Sequence, residues 1–262
     1  MRRPPAGPTV ARTSGSPCYP DRVRIAVISD VHSNVAALDA MLDALHPFDA
    51  VWHIGDAVGY GPQPVEAIER LAAVQATSVL GNHDAAVLGT ISSDWFNKEA
   101  RAAIEWTAER LTSAARHWLA SLRETVVVDD FTLVHGSPRE PMFEYVMSRE
   151  AARPSIELMG SVYGAVGHSH IPLLFRVDGE ETEVMLGEDG LTVELDERRL
   201  IANPGSVGQP RDGDPRASAL LLDTEARTLT WRRVSYAVEE VQAAMRSAKL
   251  PRRLIERLSH GR

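Results

Sequence analysis

Short apolar runs alternate with amphipathic stretches from Arg24 onward. "RIAVIS", "AVWHIG" and "TSVLG" read as buried strands, whereas "NVAALDAMLDAL" and "PQPVEAIERLAAV" repeat apolar residues at helical spacing. This β-α-β-α-β order predicts a parallel sheet with helices packed on it. A long amphipathic helical region is predicted over residues 97–122. "TVVVDDFTLVHG" then predicts a strand pair that turns at Asp129 and Asp130. After a loop-rich segment comes "YGAVGHSH", followed by hairpins expected from "LLFRVDG", "LTVELDERRLIANPGS" and "SALLLDTEARTLTWRRV". Residues 238–258 read as helical and basic. "NPGSVGQPRDGDP", residues 203–215, is too rich in Gly, Pro and Asp for a strand and is expected to be a loop. Residues 1–22, rich in Pro, Gly, Ser, Thr and Arg without periodicity, predict a disordered tail, and residues 23–262 a single domain ending in helices.

Composition narrows the class. A chain of 262 residues with 44% hydrophobic and 24% charged residues can bury a sizeable core. Its net charge of -8 argues against stable binding to a nucleic-acid backbone. The lone Cys18 cannot form an internal disulfide, and no apolar run resembles a membrane span or the core of a signal peptide, so a soluble cytoplasmic protein is expected. Oligomeric state is left open.

Polar residues collect where the predicted strands end. "SDVHSN" follows the first strand, "GDAVGYG" the second, "GNHD" the third, "VHGSP" a later one and "GHSH" the next. Loops beyond the carboxyl ends of parallel strands converge on one edge, so Asp30, His32, Asp56, Asn82, His83, His135, His168 and His170 are expected to meet. In extended backbone, residues two apart point the same way, so Asp30 with His32 and His168 with His170 each form a two-toothed claw. Carboxylate and imidazole suit Mn, Zn or Fe. Asp30, His32, Asp56, Asn82, His135, His168 and His170 are more ligands than one ion needs, which favours two ions with Asp56 as the bridging carboxylate. His46, His53, His117 and His260 match no such pattern and read as surface or satisfied core residues. The basic C-terminal stretch with Arg252, Arg253 and Arg257 reads as a solvated face. Trp95, Phe96, Trp106 and Trp118 read as core and lid packing.

The ordered motifs D-x-H, G-D-x-x-G, G-N-H-D, a lone His and G-H-x-H, over roughly residues 24–234, resemble those of the calcineurin-like metallophosphoesterases. The resemblance implies a four-layer α/β/β/α sandwich of two mixed sheets flanked by helices, with the late hairpins forming the second sheet. It implies that Asp30, His32 and His170 hold one divalent ion, that Asn82, His135 and His168 hold another, and that Asp56 bridges them; Mn, Fe, Zn and Ni are all compatible. His83 then faces the substrate as general acid or phosphate stabiliser, and Asp84 is expected to orient its imidazole and favour the charged form. The implied reaction is hydrolysis of a phosphodiester or phosphomonoester of a small or nucleotide-type substrate, by in-line attack of a hydroxide that bridges the ions.

Within that family the chain looks most like the compact bacterial phosphodiesterase branch. Protein Ser/Thr phosphatases and diadenosine tetraphosphate hydrolases usually carry Asp-Arg-Gly after the G-D motif and Glu after G-N-H, where this chain has Gly59-Tyr60-Gly61 and Asp84. Those activities are the alternative enzyme reading, and a catalytically silent partner-binding scaffold is the alternative outside enzymes. Tyr60 and residues 138–145 are expected to line the pocket. Arg211 either reaches a substrate phosphate, whose oxygens suit a guanidinium fork, or is a solvated turn residue.

Overall fold

The computed structural model describes residues 23–262. The expected tail over residues 1–22, with Cys18, lies outside the described residues. The first half follows the predicted alternation: β1 (Arg24–Ile28), α1 (Val35–Leu45), β2 (Ala50–His53), α2 (Pro64–Ala73), β3 (Thr77–Ser78) and α3 (Asn82–Leu88). The region expected to be one long helix is two, α4 (Lys98–Ala108) and α5 (Ser113–Ser121). The break has a local cause. Thr112 is extended and its hydroxyl accepts from the Ala115 N–H at 3.1 Å, starting a new helix at a point where a continuous one would have passed through.

The chain continues through β4 (Thr125–Val128), β5 (Phe131–Val134), α6 (Arg149–Leu158), β6 (Tyr163–Ala165), β7 (Pro172–Asp178) and β8 (Glu181–Leu186). It ends with β9 (Thr192–Glu194), β10 (Leu200–Pro204), β11 (Ala217–Asp223), β12 (Thr228–Val234), α7 (Val238–Ser247) and α8 (Arg252–Glu256). One sheet runs β3-β2-β1-β11-β12-β9 and the other β4-β5-β6-β10-β7-β8. Both mix parallel and antiparallel pairs: β1, β2 and β3 are parallel while β11 is antiparallel to β1, and β6 is parallel to β5 and β10 while β7 is antiparallel to β10.

The late strands do not all build the second sheet, as was expected. The β11–β12 hairpin returns to β1 in the first sheet, and β9 and β10, read as one hairpin, belong to different sheets. Periodicity marks a strand but not its neighbour. Pairing is decided by which core each face enters. Along β1, Ile25 and Val27 enter the layer between the sheets with Trp52, Leu174, Leu220 and Trp231. Ala26 and Ile28 face the opposite way, toward Leu38 and Met41 of α1 and Ile68 and Leu71 of α2. On the far side, Ala152 and Ile156 of α6 cover the second sheet at Phe175 and Ile201. The result is helix, sheet, sheet, helix, with inner strands such as β5 and β10 buried on both faces and the edge strands β4, β8 and β9 partly exposed.

A smaller cluster matters for the site. Leu254, Ile255 and Leu258 pack with Val241 and Met245 of α7 and with Ala100 and Ala103 of α4, which pins α8 beside the ends of the first sheet. No described helix is long and apolar enough to cross a membrane.

Candidate metal centre and pocket

The sequence-predicted ligands meet at one edge, each from a strand end. Asp30 and His32 follow β1, Asp56 follows β2, Asn82 opens α3 after β3, His135 follows β5, and His168 and His170 follow β6. The loops are stitched by backbone bonds: Asp30 N–H to Gly55 C=O at 3.0 Å, His32 N–H to Asp56 C=O at 3.0 Å and Gly167 N–H to His135 C=O at 2.9 Å. The segment after β10 completes the frame. Asn203 donates to the Gly167 carbonyl at 2.7 Å, the Ser206 hydroxyl donates to the Asp30 carbonyl at 2.9 Å, and the Gly208 N–H donates to the same carbonyl. Gly208 must be a glycine, since a Cβ there would lie 1.9 Å from the Val31 carbonyl oxygen.

Each carboxylate keeps one oxygen for the frame and one for the centre. Asp30 Oδ2 accepts from the Ser29 hydroxyl at 2.6 Å and the His168 N–H at 3.2 Å; Asp56 Oδ1 accepts from the His83 N–H at 2.9 Å. Asp30 Oδ1 and Asp56 Oδ2 are buried without a hydrogen-bond partner. Around them stand imidazole nitrogens. His170 Nε2 lies 3.3 Å from Asp30 Oδ1, while Asp56 Oδ2 lies 3.6 Å from His32 Nε2 and 3.3 Å from His135 Nε2. Three rings point Nδ1 at backbone carbonyls: His32 at Val58 (3.0 Å), His135 at Ile54 (2.8 Å) and His170 at Gln209 (2.5 Å). With Nδ1 as donor, Nε2 presents a lone pair to the centre, the form in which imidazole binds metal. His168 is reversed: its Nε2 lies 3.2 Å from the Phe143 carbonyl, leaving Nδ1 for the centre.

Three groups could hold an ion: Asp30, His32 and His170; Asp56, His135 and His168; and His32, Asp56 and His83. Asn82 Oδ1, 3.1 Å from His135 Nε2, stands beside the second group. Asp56 belongs to two groups, as a bridging carboxylate would. His83 was not read from sequence as a ligand candidate, yet the geometry groups it with His32 and Asp56.

Electrostatics follow burial and proximity. Burial pushes the Asp56 carboxyl up, but His135 and His83 pull it well below the usual range. Asp30 behaves likewise, held down by His170 against its burial. Burial depresses His135, but Asp56 overcomes it and raises that ring to about 9. Burial lowers His168 to about 3 and also lowers His32 and His170. A buried donor set with two unpaired carboxylate oxygens, and with His32, His168 and His170 held neutral, fits hard or borderline divalent cations, which would take the place of the proton that Asp56 holds on His135.

Two expectations about the G-N-H-D motif need correction. Asp84 does not touch the His83 ring: its carboxylate accepts from the N–H groups of Gly81 (3.1 Å), Val58 (3.1 Å) and Ala57 (3.3 Å), so it braces the loop that carries Asp56. Nor is the charged form of His83 favoured, since burial lowers that ring to about 4 and Arg211 adds to the effect. Asp84 is itself raised to about 7 by burial and the nearby Asp56. His83 packs against Tyr60, with ring centroids 4.4 Å apart, and against Phe96 at 4.9 Å. Its Nδ1 has no partner.

His53 is also not the satisfied core residue its isolation suggested. It is fully buried, neither ring nitrogen has a partner, and burial lowers it to about 4, keeping it neutral.

Over this floor opens a cavity of about 770 Å³. Tyr60 and Arg211 both line it, linked by an Arg211 Nη2 to Tyr60 hydroxyl hydrogen bond of 3.3 Å. Phe143 and Tyr145 line it from the expected 138–145 segment, and Trp95 and Phe96 join them. Arg253 and Arg257 line it too, against their reading as a solvated face. Backbone strain concentrates on the floor: Asp30, His32, Asp56, His168 and His170 have φ of 53°, 47°, 57°, 64° and 60°.

The sequence model of the calcineurin-like phosphoesterase superfamily domain matches residues 23–227. Over 250 residues the chain is 36% identical to the uncharacterized protein MJ0912 of Methanocaldococcus jannaschii, covering 91% of this chain and 98% of that protein. A crystal structure of a metallophosphoesterase from Sphaerobacter thermophilus is 39% identical, with a TM-score of 0.85 over 92% of this chain and 100% of that one. Protein PH1004 from Pyrococcus horikoshii shares the fold at 21% identity, with a TM-score of 0.73 over 92% of this chain and 99% of that one.

Proposed function

We infer that this chain, which belongs to the calcineurin-like phosphoesterase superfamily, hydrolyses small phosphate esters at a centre of two divalent ions. One observation supports this reading above the others: Asp30 Oδ1 and Asp56 Oδ2, fully buried and without hydrogen-bond partners, face imidazole nitrogens at the floor of an open cavity. An unpaired buried carboxylate oxygen is costly unless a cation satisfies it. Asp30, His32 and His170 would hold one ion and Asn82, His135 and His168 the other, with Asp56 shared. Mn, Fe, Zn or Ni suits such oxygen and nitrogen donors. Bound there, divalent ions supply charge that attracts phosphate and Lewis acidity that makes a nucleophile of water near neutral pH.

The chain's own side chains orient the ester. His83, neutral and walled by Tyr60 and Phe96, offers an imidazole N–H as hydrogen-bond donor to a phosphate oxygen. Arg211 has a buried Nε without a partner, a donor free for a phosphate oxygen. Asp84 acts one step removed, holding residues 57 and 58 in place through their N–H groups.

The test is turnover of bis-p-nitrophenyl phosphate and p-nitrophenyl phosphate by chelator-stripped protein, with Mn, Ni, Zn or Mg restored singly. Metal-dependent hydrolysis that disappears in Asp56→Asn supports the reading, and the ratio of diester to monoester rates selects the substrate class. Folded, metal-loaded protein inert toward both esters would instead favour a partner-binding scaffold.

A further inference from the structure

We propose that Arg211, Arg253 and Arg257 form a second anion site beside the metal-candidate floor, and that the pocket takes a nucleoside diphosphate-like ester rather than one with a single phosphate. The proposal rests on the phosphoesterase reading for the first phosphate and extends it to the rest of the substrate.

The argument starts from α8. Its apolar residues Leu254 and Ile255, with Leu258 beyond, are fixed against α7 and α4. That packing sorts the helix's arginines into two kinds. Arg252 pairs with Glu256 one turn on, its side chain 88% exposed, as a solvated helix surface does. Arg253 and Arg257, also one turn apart, face the cavity instead; no described Asp or Glu side chain pairs with either, and the Arg257 Nε donates to the backbone oxygen of Arg262, which also lines the cavity. Two like charges at this spacing repel. Arg211 adds a third from the loop after β10. Its Nη2 bonds Tyr60 and Gln209, both neutral, and its Nε is buried without a partner. Burial foremost, with Arg211 and Arg253 acting the same way, lowers the Arg257 guanidinium to about 10.

Acidic residues do not neutralise this trio. The cavity is lined by Asp56, already committed to the floor, and by Glu99, which makes no ion pair with the arginines. Partly buried Arg211 and Arg257 beside exposed Arg253, none of them paired with a carboxylate side chain, fit a multiply charged anion, and the planar fork suits phosphate oxygens.

The same cavity is lined by aromatic surface. Trp95 is 73% exposed yet lies stacked on Phe143, with centroids 5.2 Å apart and planes at 23°. Tyr145, 47% exposed, stacks on His168 at 4.0 Å. Large exposed aromatic faces at the mouth of a polar cavity fit a flat heterocycle. Metal floor, guanidinium wall and aromatic rim together match a base, a ribose and two phosphates, and 770 Å³ is a volume that holds such a molecule.

The experiment is calorimetric titration of Mn-loaded protein with α,β-methylene ADP and with AMP. Binding is read without turnover, so a protein that fails to hydrolyse esters refutes the phosphoesterase reading while this site is still judged by its own result. Wild-type protein should bind the diphosphate at least about tenfold more tightly than the monophosphate, the scale of one charge-assisted contact pair. In Arg253→Ala/Arg257→Ala that preference should fall to about twofold or less. The ligands' own affinity for Mn is common to all the proteins and cancels in the comparison. Arg252→Ala, on the solvent face of the same helix, should keep the full preference. Should the double variant not fold, the exposed Arg253→Ala alone should lower the preference severalfold. Equal binding of the two ligands by wild-type protein, or a preference unchanged in the arginine variants, would overturn the proposal.

Discussion

The floor and the wall of the cavity are built by opposite means. Every floor residue is nearly inaccessible and follows a strand end, and all but Asn82 are tied by hydrogen bonds to backbone of a neighbouring loop. Apart from the buried Tyr60 and His83, the polar and aromatic wall residues are partly or largely exposed and come from the segment after α3, the loop after β5, the loop after β10 and α8. A rigid floor fixes where reacting atoms sit, while a wall on loops and a short helix can change without disturbing it. Under the proposed function, the chemistry and the choice of substrate would therefore occupy separable parts of one cavity.

That separation can be tested from its strongest point outward. Asp56→Asn should lower kcat/KM for bis-p-nitrophenyl phosphate by about a thousandfold or more, because it removes charge from the shared carboxylate. Elemental analysis should show less metal per chain; full occupancy with full activity would remove Asp56 from the floor. His83→Ala should cost roughly a hundredfold in kcat with metal content unchanged if, as proposed, its imidazole acts on substrate and not on metal. An equal loss of metal would instead class His83 with the ligands, as its grouping with His32 and Asp56 allows.

Asp84→Ala distinguishes a brace from an imidazole partner. Three backbone N–H groups lose their acceptor, so thermal unfolding should drop by several degrees, about 1–3 kcal/mol. A variant with unchanged melting temperature but a displaced pH–rate profile would restore the role the sequence suggested. Trp95→Ala should have the smallest effect: roughly a threefold rise in KM for aryl esters at constant kcat and constant melting temperature, the mark of lost uniform binding at an exposed stacked ring. A larger loss in kcat would join wall to floor and break the comparison.

The floor was legible in the sequence because its parts are local. D-x-H and G-H-S-H each place two ligand candidates on one strand end, and the βαβ order brings those ends together without further information. The wall was not. Arg253 and Arg257 are indistinguishable in sequence from Arg252, and only the docking of Leu254, Ile255 and Leu258 decides which face is covered. Asp84 misled for a related reason: adjacency to His83 suggested contact, but at the start of α3 its side chain turns back to the Gly81 N–H and across to the loop after β2. The pairing of β9 and β10 with different sheets is equally non-local.

The left-handed backbone at Asp30, His32, Asp56, His168 and His170 carries a further consequence, one of evolutionary direction. Glycine adopts such angles freely, whereas other L-residues pay about 1 kcal/mol or more for them. Selection for backbone comfort alone would push these positions toward glycine, and what their side chains do, in the frame and in the centre, holds them otherwise. A lineage of this fold released from its chemistry should thus show glycine first at these five places, well before the hydrophobic layers drift.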